Sequence, residues 1–160
     1  MDAPYLLLVR SNPPHEPGGI DEVIRWYDEE HLPRLTRIGN RWRHTMNDDC
    51  IFCKIAAGDI PADKVYEDET VVAFRDLNPQ APTHILVVPR RHIATLNDLS
   101  ADDESLVGHM VAVAGETAAQ EGFAETGYRT VMNCNEAGGQ TVFHIHLHLL
   151  GGRMMHWPPG

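Results

Sequence analysis

The sequence predicts an α+β domain built on an antiparallel sheet of about five strands, with one short and one long helix. Three observations carry that prediction. Short runs of strand character recur at Val65-Tyr66-Glu67, Val71-Val72-Ala73-Phe74, Ile85-Leu86-Val87-Val88 and Tyr128 to Asn133. A single long stretch of helical period, marked by Leu106, Met110, Val113 and Thr117, interrupts them. The third is the run from Gly138 to Leu150, where His144, His146 and His148 alternate with Ile145, Leu147 and Leu149. Strand side chains alternate faces, so this period sets the three imidazoles on one side and the aliphatics on the other. The rings then stand about 6.5–7 Å apart along the strand, near enough to share one small ligand or metal.

At the start of the chain, Tyr5-Leu6-Leu7-Leu8-Val9-Arg10 reads as a short strand. A Pro/Gly loop follows, then a helical pattern from Ile20 to Leu32 that Pro33 kinks or ends. Gly39 to Thr45 is polar and basic, as a linker would be. In Tyr5-Leu6-Leu7-Leu8-Val9 and Arg25-Trp26-Tyr27-Asp28-Glu29-Glu30-His31-Leu32-Pro33 this opening resembles the first βα unit of the dimeric α/β-barrel (ferredoxin-like) family. The remaining strands and second helix of that fold are missing, and one strand with one helix cannot close a core. Residues 1–45 are therefore expected to be a βα appendage, either a truncated fusion or an over-extended reading of the gene. The main domain is expected at 46–160.

In that domain Asp48 or Asp49 is expected to cap a short helix through about Ala57, with Gly58 as its stop. Cys50 and Cys53 lie three apart and share a face of it. Asp68-Glu69 reads as a hairpin turn, Asn78-Pro79-Gln80-Ala81-Pro82 as a rigid loop, and Pro89 as a strand stop. Ser100, followed by an acidic first turn, opens the long helix, and Gly122 closes it. The Gly138-Gly139 pair lets backbone N–H groups approach an anion closely.

A lone histidine such as His15 or His109 is expected to be merely solvated or hydrogen-bonded. Three in strict alternation are different, because a solvent face made of imidazole has no structural rationale. A His-x-His pair can bind zinc, and a neutral imidazole can act as nucleophile or proton carrier. The 160-residue chain carries a formal charge of −10. That charge is uneven: residues 1–46 hold six Lys/Arg against seven Asp/Glu, residues 47–160 seven against sixteen. So acidic a body repels DNA and RNA as polymers but leaves room for a small phosphate ligand. No apolar run is long enough to span a bilayer and the start lacks a secretory signal pattern, so no membrane partner and a cytoplasmic location are expected. Three cysteines, two of them in Cys50-x-x-Cys53, then argue for a reducing compartment and a metal or redox role. Cys134 reads as a buried or free thiol.

Residues 47–160 resemble the histidine-triad (HIT) superfamily, specifically its Hint branch of nucleoside phosphoramidases. The resemblance is carried by Cys50-Ile51-Phe52-Cys53-Lys54-Ile55, Ile60-Pro61, Asp76-Leu77-Asn78-Pro79-Gln80-Ala81-Pro82-Thr83-His84 and Pro89-Arg90-Arg91-His92. Gly138 to Arg153 and the ending His156-Trp157-Pro158-Pro159-Gly160 complete it. It implies a homodimer with one continuous sheet, acting on purine nucleoside monophosphate derivatives. It makes His146 the nucleophile toward an α-phosphorus, His148 a donor to a phosphate oxygen, and His84 a supporting group. Thr141 stands where the family often has serine, and the N–H groups around Gly139 and Gln140 would stabilise the phosphoryl oxygens.

On the nucleoside side the resemblance gives Ile51, Phe52, Ile55, Phe74 and Leu77 as the base slot. Asp76 would hold the ribose hydroxyls, with Asn133 and Val142 at the nucleotide as well. Arg75 departs from the histidine usual in eukaryotic relatives. Bacterial relatives with the same cysteine pair imply a structural zinc on Cys50, Cys53, His92 and His144, a full tetrahedral set with no position open for water. Rival readings are hydrolysis by a zinc-bound water, a non-catalytic nucleotide-binding module, and a dinucleoside polyphosphate hydrolase of the same superfamily. Nucleotidyl-transferring relatives carry glutamine at the third motif position, so His148 favours hydrolysis.

Overall fold

The computed structural model describes residues 46–159. The expected N-terminal strand, helix and linker lie outside the described residues. Within them the chain runs α1 (Ile51–Ala57), β1 (Lys64–Glu67), β2 (Val71–Arg75), β3 (Thr83–Pro89), α2 (Glu104–Gln120), β4 (Arg129–Val131) and β5 (Leu147–Gly151). The strands form one five-stranded sheet in the order β1-β2-β3-β5-β4, and every neighbouring pair is antiparallel. This is the predicted α+β class, with its short and its long helix.

Local chemistry explains most boundaries. Asp68 turns the β1–β2 hairpin by accepting from the amides of Thr70 and Val71 at 2.7 and 2.8 Å. α1 ends at Gly58, which takes the left-handed conformation at φ +82°. Its start differs from the expectation. Neither Asp48 nor Asp49 caps it: Cys50 is the N-cap residue and makes no side-chain cap bond. Asn47 sets the entry instead, its Oδ1 accepting from Asp49 N–H and its carbonyl from Cys50 N–H, both at 3.0 Å. Before α2, Asp103 Oδ2 accepts from the amide and the hydroxyl of Ser100. Met110, Val113 and Thr117 are buried along the helix as the periodicity requires.

The sheet has two unlike faces. On one, α2 packs over β3 and β5, and Ile145, Leu147 and Leu149 join Ile85, Val87 and Met110 in the core. The alternation therefore sends His144, His146 and His148 to the opposite face, where α1 lies over β3. Register aligns Phe74, Leu86 and His148 across β2, β3 and β5 in one row on that face.

The histidine strand is shorter than the pattern suggests. The ladder to β3 starts at the Val87–Leu147 pair, leaving His144 and His146 on the segment ahead of β5. Pro89 accounts for this, since it has no N–H to give and its carbonyl is taken by the His144 side chain at 2.8 Å. Ile145 N–H turns to the Ile93 carbonyl at 2.7 Å. Gly151 closes β5 at a tight approach, where an added Cβ would lie 2.5 Å from the Phe123 ring and force that ring to shift. His109 is hydrogen-bonded, its Nε2 lying 2.6 Å from Asp68 Oδ2, which is the ordinary role expected of it.

Candidate functional site

Two clusters of titratable side chains share the α1 face. In the first, Cys50 and Cys53 come from the start of α1, His92 from the segment after β3, and His144 from the segment before β5. Their four ligand atoms converge within 4.8 Å of one another, an arrangement able to hold a metal ion. His144 Nδ1 lies 3.4 Å from Cys50 Sγ and 3.5 Å from Cys53 Sγ, and the two Nδ1 atoms of His92 and His144 are 3.3 Å apart. His144 is wholly buried. Its Nε2 donates to the Pro89 carbonyl, which leaves Nδ1 bare and aimed at the thiols. The Cys53 thiol, donating to Cys50, pulls the Cys50 value well below that of a free thiol, and the Cys53 proton is held correspondingly harder.

The second cluster is His84, His146, His148 and Asp76. His146 is buried, with its Nδ1 2.7 Å from the His144 carbonyl. A carbonyl only accepts, so the proton is on Nδ1 and Nε2 carries a free lone pair. Burial pushes the His146 pKa below the usual imidazole value, against the opposing pull of the His144 carbonyl, so the ring is neutral at pH 7. His148 is pushed down to about 4, first by burial and then by the neighbouring rings of His146 and His84. The rings of His146 and His148 are 4.8 Å apart and meet edge to face. His84 Nε2 lies 2.8 Å from His148 Nδ1 and 3.5 Å from Asp76 Oδ2. Burial lowers the His84 pKa too, with the Asp76 charge opposing it. The other oxygen of Asp76 accepts from Asn78 N–H at 2.8 Å.

The two clusters touch through α1. Phe52, between the two cysteines, stands edge-on to His146 at 5.1 Å and to Phe74 at 5.7 Å. Of the expected base slot, Phe52, Ile55 and Phe74 are buried and Ile51 is half-buried, whereas Leu77 is 61% exposed.

The glycine loop departs from its expected use. Gly139 N–H donates to the Glu136 carbonyl and Gln140 N–H to the Asn135 carbonyl, at 2.9 and 3.0 Å. Both amides are spent closing the loop and are not free to meet an anion. The amides of Thr141 and Val142 make no backbone bond among the described residues. Thr141 is exposed and Val142 buried. Gln140 is a loop anchor: it is buried, its Nε2 donates to the Ala94 and Val142 carbonyls, and its Oε1 accepts from Asn135 N–H. Asn133 Nδ2 reaches the Gly139 carbonyl at 3.4 Å. Cys134 is a free, half-buried thiol.

Neither the anchoring by Gln140 nor the Pro89 carbonyl behind His144 is legible in residue type or spacing. A glutamine in a glycine loop reads as polar surface, and a carbonyl is common to every residue.

The family described as HIT domain matches residues 57–155. The purine nucleoside phosphoramidase of Escherichia coli K12 is 56% identical over 108 residues, 68% of this chain and 91% of that protein. The crystal structure of a HIT family hydrolase from Legionella pneumophila is similar at 57% identity and TM-score 0.69, covering 70% of this chain and all of that one. A zinc-bound histidine triad family protein from Mycobacterium smegmatis is 39% identical with TM-score 0.57, over 66% of this chain and 76% of its own.

Proposed function

The chain belongs to the histidine-triad (HIT) family, and on that premise we propose that it hydrolyses purine nucleoside 5′-phosphoramidates or acyl-nucleotides to the nucleoside monophosphate. The observation that carries this reading is His146, a buried neutral imidazole whose Nδ1–H is tied to a carbonyl and whose Nε2 is bare. Nε2 attacks the α-phosphorus, and the P–N or P–O bond breaks with its electron pair leaving on the amine, which takes up a proton, or on the carboxylate. Water then attacks the nucleotidyl-histidine, giving up a proton, breaking its P–N bond and returning the lone pair to Nε2. His148, the Thr141 hydroxyl and the amides of Thr141 and Val142 are the donors for charge developing on the phosphoryl oxygens. Asp76 takes the ribose hydroxyls, with His84 behind it. Phe52, Ile55 and Phe74 hold the base, with Ile51 and Leu77 toward the mouth of the slot and Asn133, Gly139 and Gln140 shaping the loop at the phosphate.

The first cluster fits a zinc ion. Zn–N of about 2.0–2.1 Å and Zn–S of about 2.3 Å imply tetrahedral N···N and N···S edges near 3.4 and 3.6 Å. The observed edges are 3.3 Å for the imidazole pair and 3.4–3.5 Å for imidazole to sulfur. Cys50, Cys53, His92 and His144 would hold the ion with no position left for water, so it would supply cross-linking of α1 to the histidine segment. That arrangement favours His146 over a metal-bound water as the nucleophile.

We assign the catalytic domain to residues 46–160 and treat 1–45 as an appendage, which the family match does not include. A homodimer in the cytoplasm fits the family. No helix among the described residues is long and apolar enough to cross a membrane.

The pH–rate profile with an adenosine phosphoramidate tests the reading. Protonating His146 removes its lone pair, and burial puts its pKa below the usual imidazole value of about 6.5. kcat/KM is therefore expected to stay level down through that pH and fall only in more acid solution. A profile flat from about pH 8 to pH 4 contradicts an imidazole nucleophile. Nucleotide binding with no turnover at any pH would give the binding-module reading.

A further inference from the structure

The geometry points to the backbone amide of Gln80 as the group that fixes, through His84, which nitrogen of His148 carries the proton. The inference rests on the proposed role of His148 as a donor to the phosphoryl group, and Gln80 is a positioning residue in it.

The direction of the chain follows from one group that has no freedom. A backbone N–H can only donate, and that of Gln80 meets His84 Nδ1 at 3.2 Å. Nδ1 is therefore bare, and the single proton of neutral His84 sits on Nε2. A doubly protonated His84 is excluded by the same contact, since it would set N–H against N–H. His84 Nε2–H, 2.8 Å from His148 Nδ1, then donates to it. Because that nitrogen accepts, the proton of His148 is on Nε2. This Nε2 is buried and has no hydrogen-bond partner among the described residues. A buried donor without an acceptor is costly, and a substrate oxygen is the group that would relieve it.

Neighbouring rings are thereby held in opposite tautomers. The His144 carbonyl draws the His146 proton to Nδ1 at 2.7 Å and bares Nε2. The Gln80 amide, two rings away, places the His148 proton on Nε2. One ring then offers a lone pair to phosphorus and the next an N–H to its oxygens. The Gln80 amide is held in place by its own loop. Gln80 Nε2 donates to the Asn78 carbonyl at 2.9 Å, and Asn78 N–H donates to Asp76.

The same atoms invite a metal reading, since Asp76, His84 and His148 present ligand atoms within 4.8 Å. The Gln80 amide argues against it. A cation on His84 Nε2 would drive the ring proton to Nδ1, directly against that N–H.

Side-chain ¹⁵N NMR of the histidines in the full chain, at about pH 7.5 and so above the ordinary imidazole pKa, reads the tautomers. Bare and protonated ring nitrogens differ widely in shift. His84 and His148 are expected to be protonated at Nε2 and His146 at Nδ1; a proton on His148 Nδ1 overturns the proposal. Gln80→Pro removes the N–H, whereas Gln80→Ala keeps it. The proline variant is expected to shift His148 toward the Nδ1–H form and lower kcat/KM roughly tenfold, the worth of one hydrogen bond. The alanine variant should keep the wild-type tautomers. An unchanged His148 tautomer in folded Gln80→Pro overturns the assignment to Gln80, and if that variant does not fold the wild-type spectrum decides alone. The expected tautomers together with no phosphoramidate turnover would support the hydrogen-bond chain and sink the proposed activity.

Discussion

His146→Ala is expected to lower the hydrolysis of an adenosine phosphoramidate by roughly 10⁴–10⁶-fold, the range for losing a nucleophile. Nucleotide affinity should stay nearly intact, because the groups assigned to base and ribose are elsewhere, on α1, β2 and the Asp76 loop. The side chain removed makes one hydrogen bond, to the His144 carbonyl at 2.7 Å, and edge contacts with the rings of Phe52 at 5.1 Å and His148 at 4.8 Å. Its loss leaves a small cavity and one unmet carbonyl, which a water can satisfy. Turnover and equilibrium binding measured on the same preparation separate the two effects. Retained turnover would remove His146 from the mechanism, and lost binding alongside lost turnover would mean that the pocket itself had collapsed.

Removing the metal should act on stability before it acts on chemistry. The four candidate ligands join α1 to the segments carrying His92 and His144, so a bound ion cross-links three parts of the chain. At a thousandfold excess over its Kd, an ion bound only by the folded state stabilises it by about 4 kcal/mol. For a domain of this size that is on the order of 10 °C in Tm. Chelation, or Cys53→Ser, is expected to lower Tm by about that much. Protein that remains folded well below the new Tm should still turn over, more slowly because Phe52 and the His144 carbonyl are less firmly placed. Immediate and complete loss of turnover at unchanged folding would transfer the chemistry to a metal-bound water. An unshifted Tm would mean that the two thiols and two imidazoles hold no structural ion.

The features legible in the sequence were those that side-chain type and spacing encode. Alternation of His144, Ile145, His146, Leu147, His148 and Leu149 announced two unlike faces, and the core takes the aliphatic three while α1 covers the histidines. The stripe of Met110, Val113 and Thr117 placed the long helix, and Cys50-x-x-Cys53 placed two thiols on one helical face. Main-chain roles were not legible. The Pro89 carbonyl sets the tautomer of His144, the His144 carbonyl that of His146, and the Gln80 amide the bare nitrogen of His84. Every residue carries such groups, so no pattern distinguishes the ones in use. The same limit explains the loop amides: two glycines signalled close approach to an anion, but the Gly139 and Gln140 N–H groups close their own turn. It also explains the start of α1, where two aspartates looked like caps and Asn47 forms the turn.

The account turns on a covalent nucleotidyl intermediate on His146. Rapid-quench single-turnover reaction with a radiolabelled adenosine phosphoramidate, followed by peptide mapping, tests this directly. The expected result is label on the peptide containing His146, in a linkage stable to base and labile to acid as a P–N bond is, forming and decaying at rates that account for turnover. Label absent at every time point while product accumulates in the first turnover, or found on a residue other than His146, would contradict it.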